Sequence, residues 1–364
     1  GLAAAILSAA PCQPHSPRTF GSSIFHSLEG LPESKCRCSC LSRDAAMNLI
    51  LLSDEEEEAL AEEGSGSLLL PPEDRRARHI VTVLRPEPGA TVRLGLIGGG
   101  IGRARVAILE GGAVRLEPLP EAPRLRSAPP GPEPPRIEVL LAMPRPKVMM
   151  RLWAVLAQLG VRRVVLINAY RVEKAYFSSQ AVDRAKYLPE LLDGLEQAVC
   201  TRLPEVRVEM RFKPFVEDTL DGLSPRGEVL RLLCHPGEDS QRIGEAVAGA
   251  ARAASASAAS PGERLPRPRG VLLAVGPEGG WVDFELQLLR SRGFKQVTMG
   301  PRVLTTETAV CSLVTLAADA LAQLQQEEQQ ERRLPAADVA DPEAKQGGDA
   351  DTATSSRRPQ APEP

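Results

Sequence analysis

The sequence predicts an α/β protein in which a parallel-sheet domain follows a smaller β-rich one. Three observations predict it. From Arg136 onward, short apolar runs alternate with stretches of helical periodicity. Before about residue 120 the apolar residues instead fall in short, glycine-punctuated runs of alternating character. Between the two lies a proline-rich stretch, residues 122–135, with Pro129-Pro130 and Pro134-Pro135; it reads as an extended linker and places a domain boundary.

The elements follow in order. Residues 47–52, Met-Asn-Leu-Ile-Leu-Leu, make an apolar first strand, and 91–97 pair with 103–109 across Gly98, Gly99 and Gly100. Gly111 and Gly112 precede a further strand through Val114 and Leu116. These glycines lack GxGxxG spacing and lead into the alternating Arg103-Ala104-Arg105-Val106, so they read as a hairpin and not as a dinucleotide-binding turn. Residues 137–142 form a buried strand. Met149, Leu152, Trp153 and Leu156 then fall at i, i+3, i+4 and i+7, which gives a helix stopped by Gly160 before a strand over 164–167. This is a βαβ unit, with parallel strands and a right-handed crossover. Expected next are a helix over 190–200, an alternating strand over 206–212, a strand over 229–234 and a helix over 242–253. A strand over 271–275, a helix over 283–292 ended by Gly293, a strand over 296–299 and a final helix over 308–324 complete the pattern. Residues 251–269 read as a flexible insertion, and the tail over 325–364 has too few apolar residues to offset the entropy of ordering.

The formal net charge is only −3, from 44 Lys and Arg against 47 Asp and Glu. Acid is concentrated in residues 54–58, in Glu62-Glu63 and in the tail. Arg75, Arg76, Arg78, Arg85, Arg93, Arg103 and Arg105 load the segment between with positive charge. Such a local basic face suffices for electrostatic docking on a polyanion, although a solvated arginine face gives the same pattern. No apolar run approaches the roughly 20 residues that span a bilayer, so a soluble protein without a membrane partner is expected. The 7 cysteines include Cys36, Cys38 and Cys40 at alternate positions. This is neither a disulfide framework nor the CxxC spacing of a metal site, and free thiols are expected. Residues 1–46 are rich in Ser, Ala and Cys, with Arg18, Arg37 and Arg43 against only Glu29, Glu33 and Asp44 as acids. That composition resembles a transit peptide, which would direct the chain to chloroplast or mitochondrion; otherwise it is upstream sequence and the protein is cytoplasmic.

The segment carrying most chemistry is Gly276-Pro277-Glu278-Gly279-Gly280, followed by residues 299–309, Met-Gly-Pro-Arg-Val-Leu-Thr-Thr-Glu-Thr-Ala. Each follows an apolar run and precedes a helical pattern, so two neighbouring strand ends are expected to carry glycine-rich loops with bare backbone amides. Open α/β sheets build their ligand crevices there. Alone, the first segment also reads as a plain turn. Together, in this order and spacing, the two resemble the signature of the RsmE-type 16S rRNA (uracil-N3)-methyltransferases of the SPOUT superfamily. Met47–Leu52, residues 76–85 (RARHIVTVLR), Pro144-Arg145-Pro146-Lys147, 159–174 (LGVRRVVLINAYRVEK), 194–206 (GLEQAVCTRLPEV) and 211–218 (RFKPFVED) resemble the same family in its order. The resemblance covers residues 47 to 324.

It implies a SPOUT-type parallel sheet with a C-terminal trefoil knot over 136–324, preceded by a PUA-like RNA-binding β-barrel over 47–121. It also implies S-adenosylmethionine as cofactor, a homodimer with active sites at or near the subunit interface, and methylation of N3 of a specific uridine in small-subunit ribosomal RNA. Ribosomal RNA or the small ribosomal subunit would be the partner. Two readings stay open beside it: a non-catalytic rRNA-binding or assembly factor of the same fold, and a knotted methyltransferase acting on another RNA. By resemblance the cofactor loops bring Leu233, His235, Val275, Gly276, Gly279, Gly280, Met299, Gly300, Val303, Leu304 and Thr306 to the ligand, with Val303 and Leu304 as a floor under adenine. Thr306 or Thr305 can cap the final helix. Uridine N3 holds its proton about as tightly as a tyrosine, pKa roughly 10, so the site needs a base or cationic donors for the uridine anion. Arg171 and Arg302 are the candidate donors. Glu307 either favours the helix end or polarises a ligand. Arg76, Arg78, His79 and Arg85 are the candidate RNA contacts. Thr305 departs from the family, which has Arg at that position.

Overall fold

The computed structural model describes residues 49–62, 66–119, 125–126, 134–237, 240–256 and 267–333. The leader over 1–46, Met47, Asn48, most of the 122–135 linker, the centre of the 251–269 insertion and the tail beyond 333 lie outside the described residues.

Alternating side chains build the first sheet. In β4 (Ile101–Ile108) Gly102, Ala104 and Val106 turn inward, while Arg103 and Arg105 turn out, as the two-residue period of a strand requires. With β1 (Leu49–Leu52), β2 (Leu68–Leu70), β3 (Thr91–Leu96) and β5 (Val114–Pro118) it forms a curled sheet in the order β1-β3-β4-β5-β2. Helix α1 (Asp54–Glu62) opens with a capping box: Ser53 Oγ accepts from Glu56 N at 3.3 Å, and Glu56 Oε2 accepts from Ser53 N at 3.0 Å. Helix α2 (Arg75–His79) is capped by Asp74, whose Oδ1 accepts from Arg76 N at 2.7 Å.

The second sheet contains β6 (Arg136–Ala142), β7 (Arg163–Ile167), β8 (Glu205–Glu209), β9 (Val229–Cys234), β10 (Gly270–Val275) and β11 (Lys295–Val297). Its order is β11-β9-β10-β6-β7-β8, and every pairing is parallel. Strands covered on both faces read as continuous apolar runs, and β10 is buried at every residue. The covering helices are α3 (Pro146–Gln158), α4 (Arg184–Ala198), α7 (Ile243–Ala256), α8 (Asp283–Ser291) and α9 (Thr306–Arg333), with short turns α5 (Phe212–Pro214) and α6 (Leu220–Leu223) between β8 and β9. Helix α3 buries Met149, Leu152, Trp153 and Leu156, the residues its spacing singled out. Gly160 ends the turn after it at φ +71°, a conformation other residues resist. At the amino-terminal edge of the sheet, buried Glu138 accepts from Arg136 Nε and Arg163 Nη1, each at 2.7 Å, and from Ser224 Oγ. Its neighbours therefore satisfy that carboxylate, and the edge reads as structural.

The two sheets are docked through β1. Its alternate faces serve different cores: Leu49 and Leu51 pack with the second sheet, Ile50 and Leu52 with the first. The β3–β4 glycines fit the same junction. Gly98 N donates to Thr201 O at 2.7 Å, Thr201 Oγ1 donates to Gly99 O at 2.6 Å, and a Cβ at Gly95 would stand 2.9 Å from Thr201 Cγ2.

Several boundaries differ from expectation. Helix α4 starts at Arg184, well before residue 190, because Asp183 caps it by accepting from Ala185 N at 3.0 Å. Strand β8 stops at Glu209, short of 212, because Phe212 turns away into α5 and packs against Trp281. Helix α7 continues to Ala256, so residues 251–256 are helical. Helix α9 spans Thr306–Arg333 where 308–324 was expected, so the chain from 325 to 333 is helix as well. Between Thr306 and Gln330, α9 is the one described helix long and apolar enough to cross a membrane, which the absence of any such run in the sequence reading missed. Val310, Leu313, Val314, Ala317 and Leu321 are buried where the helix lies against α3, α7, β6 and β10, and about a third of its apolar window is buried in all. Finally, the strands before the two glycine-rich loops are not neighbours: β9 lies between β10 and β11.

Candidate active site

Because the second sheet is parallel, the carboxyl ends of β9, β10 and β11 lie on one edge, and strand order sets their loops side by side. The middle loop leaves β9 through Leu233, which is fully buried, and Cys234, whose thiol is pushed up by burial. His235 N donates to Leu233 O at 3.0 Å and to Val297 O at 3.2 Å, closing the turn against β11. Burial and the nearby Arg290 hold the His235 imidazole below its ordinary pKa, so the ring is neutral at pH 7.

The loop after Val275 is a tight turn in which Gly280 N donates to Pro277 O at 2.8 Å and Gly280 sits at φ +75°. Two glycines here stand close to their neighbours. A Cβ at Gly276 would stand 3.0 Å from Trp281 Nε1, and one at Gly279 would stand 3.0 Å from Arg171 Cδ. Arg171, from the loop after β7, donates Nη1 to Gly279 O. It is thus a clamp on the loop. Trp281 is buried, tilts against Phe212 with ring centroids 5.6 Å apart, and leaves Nε1 without a partner among the described residues.

The third loop is held from beneath by the start of α7. Arg242 Nη1 donates to Met299 O at 3.0 Å, and Gly300, at φ +116°, has its N bonded to Thr298 Oγ1 at 3.1 Å. Beyond it Arg302 is exposed and Val303 is 100% exposed, with Leu304 at 36%. Val303 thus stands clear of the rest of this chain, while Leu304 lines an open groove beside Met299 and Arg302. Thr305 is the capping residue of α9: its Oγ1 accepts from Thr308 N at 3.4 Å and its carbonyl from Ala309 N at 2.8 Å. Thr306 is buried in the first turn. The Glu307 carboxylate pairs with Arg151 Nη2 of α3 at 2.8 Å; that hydrogen bond, working against a smaller burial penalty, keeps its pKa below the ordinary value. Glu307 thereby ties α9 to α3. An open groove of about 580 Å³ follows, lined by Met299, Arg302, Leu304, Cys311 and Leu316 among others.

The structure thus gathers the expected Leu233, His235, Val275, Gly276, Gly279, Gly280, Met299, Gly300 and Arg302 on one edge, with Arg171 reaching it from β7. The arginines expected to contact RNA separate. Arg76 is bound by Glu56, Asp74 and Leu51 O with its side chain only 14% exposed, so it is part of the fold. Arg75 joins α2 to Asp193 and Glu196 of α4. Arg78 and Arg85 are exposed, Arg85 at φ +44°, and His79 Nε2 is buried without a partner among the described residues. Arg151, Arg242 and Trp281 were missed. Trp281 had a signal, since it directly follows the glycine turn and is one of only 2 tryptophans; the two arginines had none.

A family model described as an RNA methyltransferase domain matches residues 132–318. Ribosomal RNA small subunit methyltransferase E of Treponema pallidum is 28% identical over 240 residues, covering 66% of this chain and 80% of that protein. The enzyme of the same name from Aquifex aeolicus is 52% identical over 44 residues, 12% of this chain and 19% of that protein. Among solved structures, a ribosomal RNA small subunit methyltransferase E from Neisseria gonorrhoeae bound to S-adenosyl methionine superposes with a TM-score of 0.53 at 22% identity, covering 74% of this chain and 95% of that one. A putative methyltransferase from Legionella pneumophila in complex with SAM gives 0.53 at 24% identity, covering 75% and 98%.

Proposed function

We propose, from the premise that this chain belongs to the RNA methyltransferase family, that it transfers the methyl group of S-adenosylmethionine to N3 of a specific uridine in small-subunit ribosomal RNA. The observation that carries the reading is the meeting of three strand-end loops on one edge, with glycines at 276 and 279 where a side chain would crowd its neighbours and at 280 and 300 where φ is positive. Such bare backbone suits a ligand read by amides and carbonyls. When bound, S-adenosylmethionine supplies an electrophilic methyl group. The chain's own part is positioning and charge. Arg171 fixes the carbonyl of Gly279 and so the shape of the turn. Arg302, exposed beside the same edge, is the donor for the uridine anion, and the N3 proton leaves to solvent. Glu307 is held by Arg151 and acts through the placement of α9. Thr305, in place of an arginine, keeps the helix cap, so the departure leaves the loop intact.

The fold is read further as a trefoil knot, supported by the return of α9 from β11 across to β10 and β6. The curled first sheet is read as PUA-like, with the exposed Arg105 of β4 and the exposed Arg78 and Arg85 as phosphate contacts. A homodimer is supported by the exposed Val303, Leu304 and Leu316 around the 580 Å³ groove, apolar surface that a second subunit would cover.

Two experiments test this. Calorimetric titration with S-adenosylmethionine is expected to show binding that Gly279→Val weakens by more than about tenfold, or 1.4 kcal/mol; undiminished affinity would remove the loop from the site. Mass mapping of N3-methyluridine in ribosomal RNA from cells lacking the protein is expected to lose one mark. Retention of every mark would leave a binding factor in place of an enzyme.

A further inference from the structure

A second groove, of about 710 Å³, opens where the carboxyl ends of β7 and β8 face the start of α8. The chain is poor in aromatics, with 7 Phe, 3 Tyr and 2 Trp. Among the described residues the large aromatics left exposed are Tyr170, at 82%, and Phe284, at 53%, and both line this groove. Met210, 49% exposed, adds a third apolar side chain.

The rim is cationic. Lys174 and Lys213 are exposed, and Lys213 has only a loose contact with Glu217, at 3.9 Å on the same turn of chain. The one acid in the lining, Glu285, is buried: its Oε1 accepts from Tyr170 N at 2.7 Å and its Oε2 from Val282 N at 3.0 Å. Both oxygens thus face backbone amides, and the groove presents aromatic faces between lysines.

We infer that this groove binds an unpaired RNA nucleotide, its base against Tyr170 and Phe284 and its backbone phosphates at Lys174 and Lys213. Aromatic planes flanked by cations are how single strands are held without sequence preference, and the volume falls in the range of small-molecule sites. An apolar protein partner would instead meet two ammonium groups that it leaves unpaired. The inference rests on the RNA methyltransferase reading and adds a subsite to it: Tyr170 directly precedes Arg171, the clamp on the glycine turn, so the groove adjoins that turn.

The test is fluorescence anisotropy with a short fluorescein-labelled single-stranded RNA of mixed sequence. Tyr170→Ala and Phe284→Ala are each expected to weaken binding about tenfold, and Lys174→Gln with Lys213→Gln to lower the slope of log affinity against log salt by about 1 to 2. Both aromatic side chains are exposed, and thermal melting checks that the variants fold. In a measurement needing no variant, photo-crosslinking of 4-thiouridine RNA to the unaltered protein is expected to mark a peptide containing Tyr170 or Phe284. Unchanged affinity in both aromatic variants, or crosslinks confined to other peptides, overturns the inference. So does a change of oligomeric state on light scattering with RNA affinity intact, which would assign the groove to a second copy. Calorimetry with S-adenosylmethionine separates the two levels. RNA binding that depends on Tyr170 in a protein without cofactor affinity removes the enzyme and keeps the subsite; cofactor binding with RNA affinity indifferent to Tyr170 does the reverse.

Discussion

Asp74 does two things at once, because its carboxylate caps α2 and grips the guanidinium of Arg76. Burial alone would raise its pKa, but the hydrogen bonds and charge of Arg76 outweigh that and hold it below the ordinary 3.8. A carboxyl with a lowered native pKa stabilises the fold fully above its unfolded value, and that contribution disappears as pH falls through the native value. Asp74→Ala is expected to cost about 1–2 kcal/mol near pH 7, the size of a lost cap with its charged partner. Asp74→Asn keeps an acceptor for the cap and removes the charge. Urea unfolding is expected to show its deficit against wild type shrinking as pH falls below 3.8 and through the lowered native pKa, beneath which the aspartate is itself protonated; a deficit independent of pH would detach Asp74 from Arg76.

At the scale of elements, the crossing of α3 and α4 depends on one missing side chain. A Cβ at Gly194 would clash with Ala154 O and stand 2.9 Å from Ala157 Cβ, and both obstacles belong to a helix that cannot give way locally. Glycine within a helix ordinarily costs stability relative to alanine. Here the order is expected to reverse, with Gly194→Ala destabilising by about 1–3 kcal/mol through overpacking. Denaturant unfolding decides it, and a more stable alanine variant would mean that the helices can separate freely. The α9 helix gives a second case: Leu313, 2% exposed, sits in the core, and Leu313→Ala is expected to cost about 2–5 kcal/mol. A cost below 1 kcal/mol would place that face of α9 against solvent.

For the molecule as a whole, the joint between the sheets is the decisive contact. Thr201 is 1% exposed and donates to Gly99 O across it. Thr201→Val keeps the shape and leaves a buried carbonyl without a donor, which is expected to cost about 1–3 kcal/mol. Hydrogen exchange should then show earlier opening of the β3–β4 hairpin than of β10; equal protection of both would show that β1 alone holds the sheets together. The same joint sets the exposed Arg78, Arg85 and Arg105 of the first unit against the glycine-bearing loops of the second sheet.

The periodic parts of the chain were legible from residues alone. The spacing of Met149, Leu152, Trp153 and Leu156, the unbroken run of β10 and the glycine turn after Val275 each follow from local chemistry, which acts between residues close in sequence. Strand order was not legible, because apolar parallel strands pair with one another almost interchangeably, and so β9 was not foreseen between the two loop-bearing strands. Nor were partners distant in the chain: the grip of Glu56 and Asp74 on Arg76, of Arg151 on Glu307 and of Arg171 on Gly279 joins charges and carbonyls that only folding brings within reach. The sequence by itself determined the elements and the bare backbone of the loops. Tertiary structure decided which arginines are held within the fold, because all five guanidinium donors of Arg76 go to Glu56, Asp74 and Leu51 O.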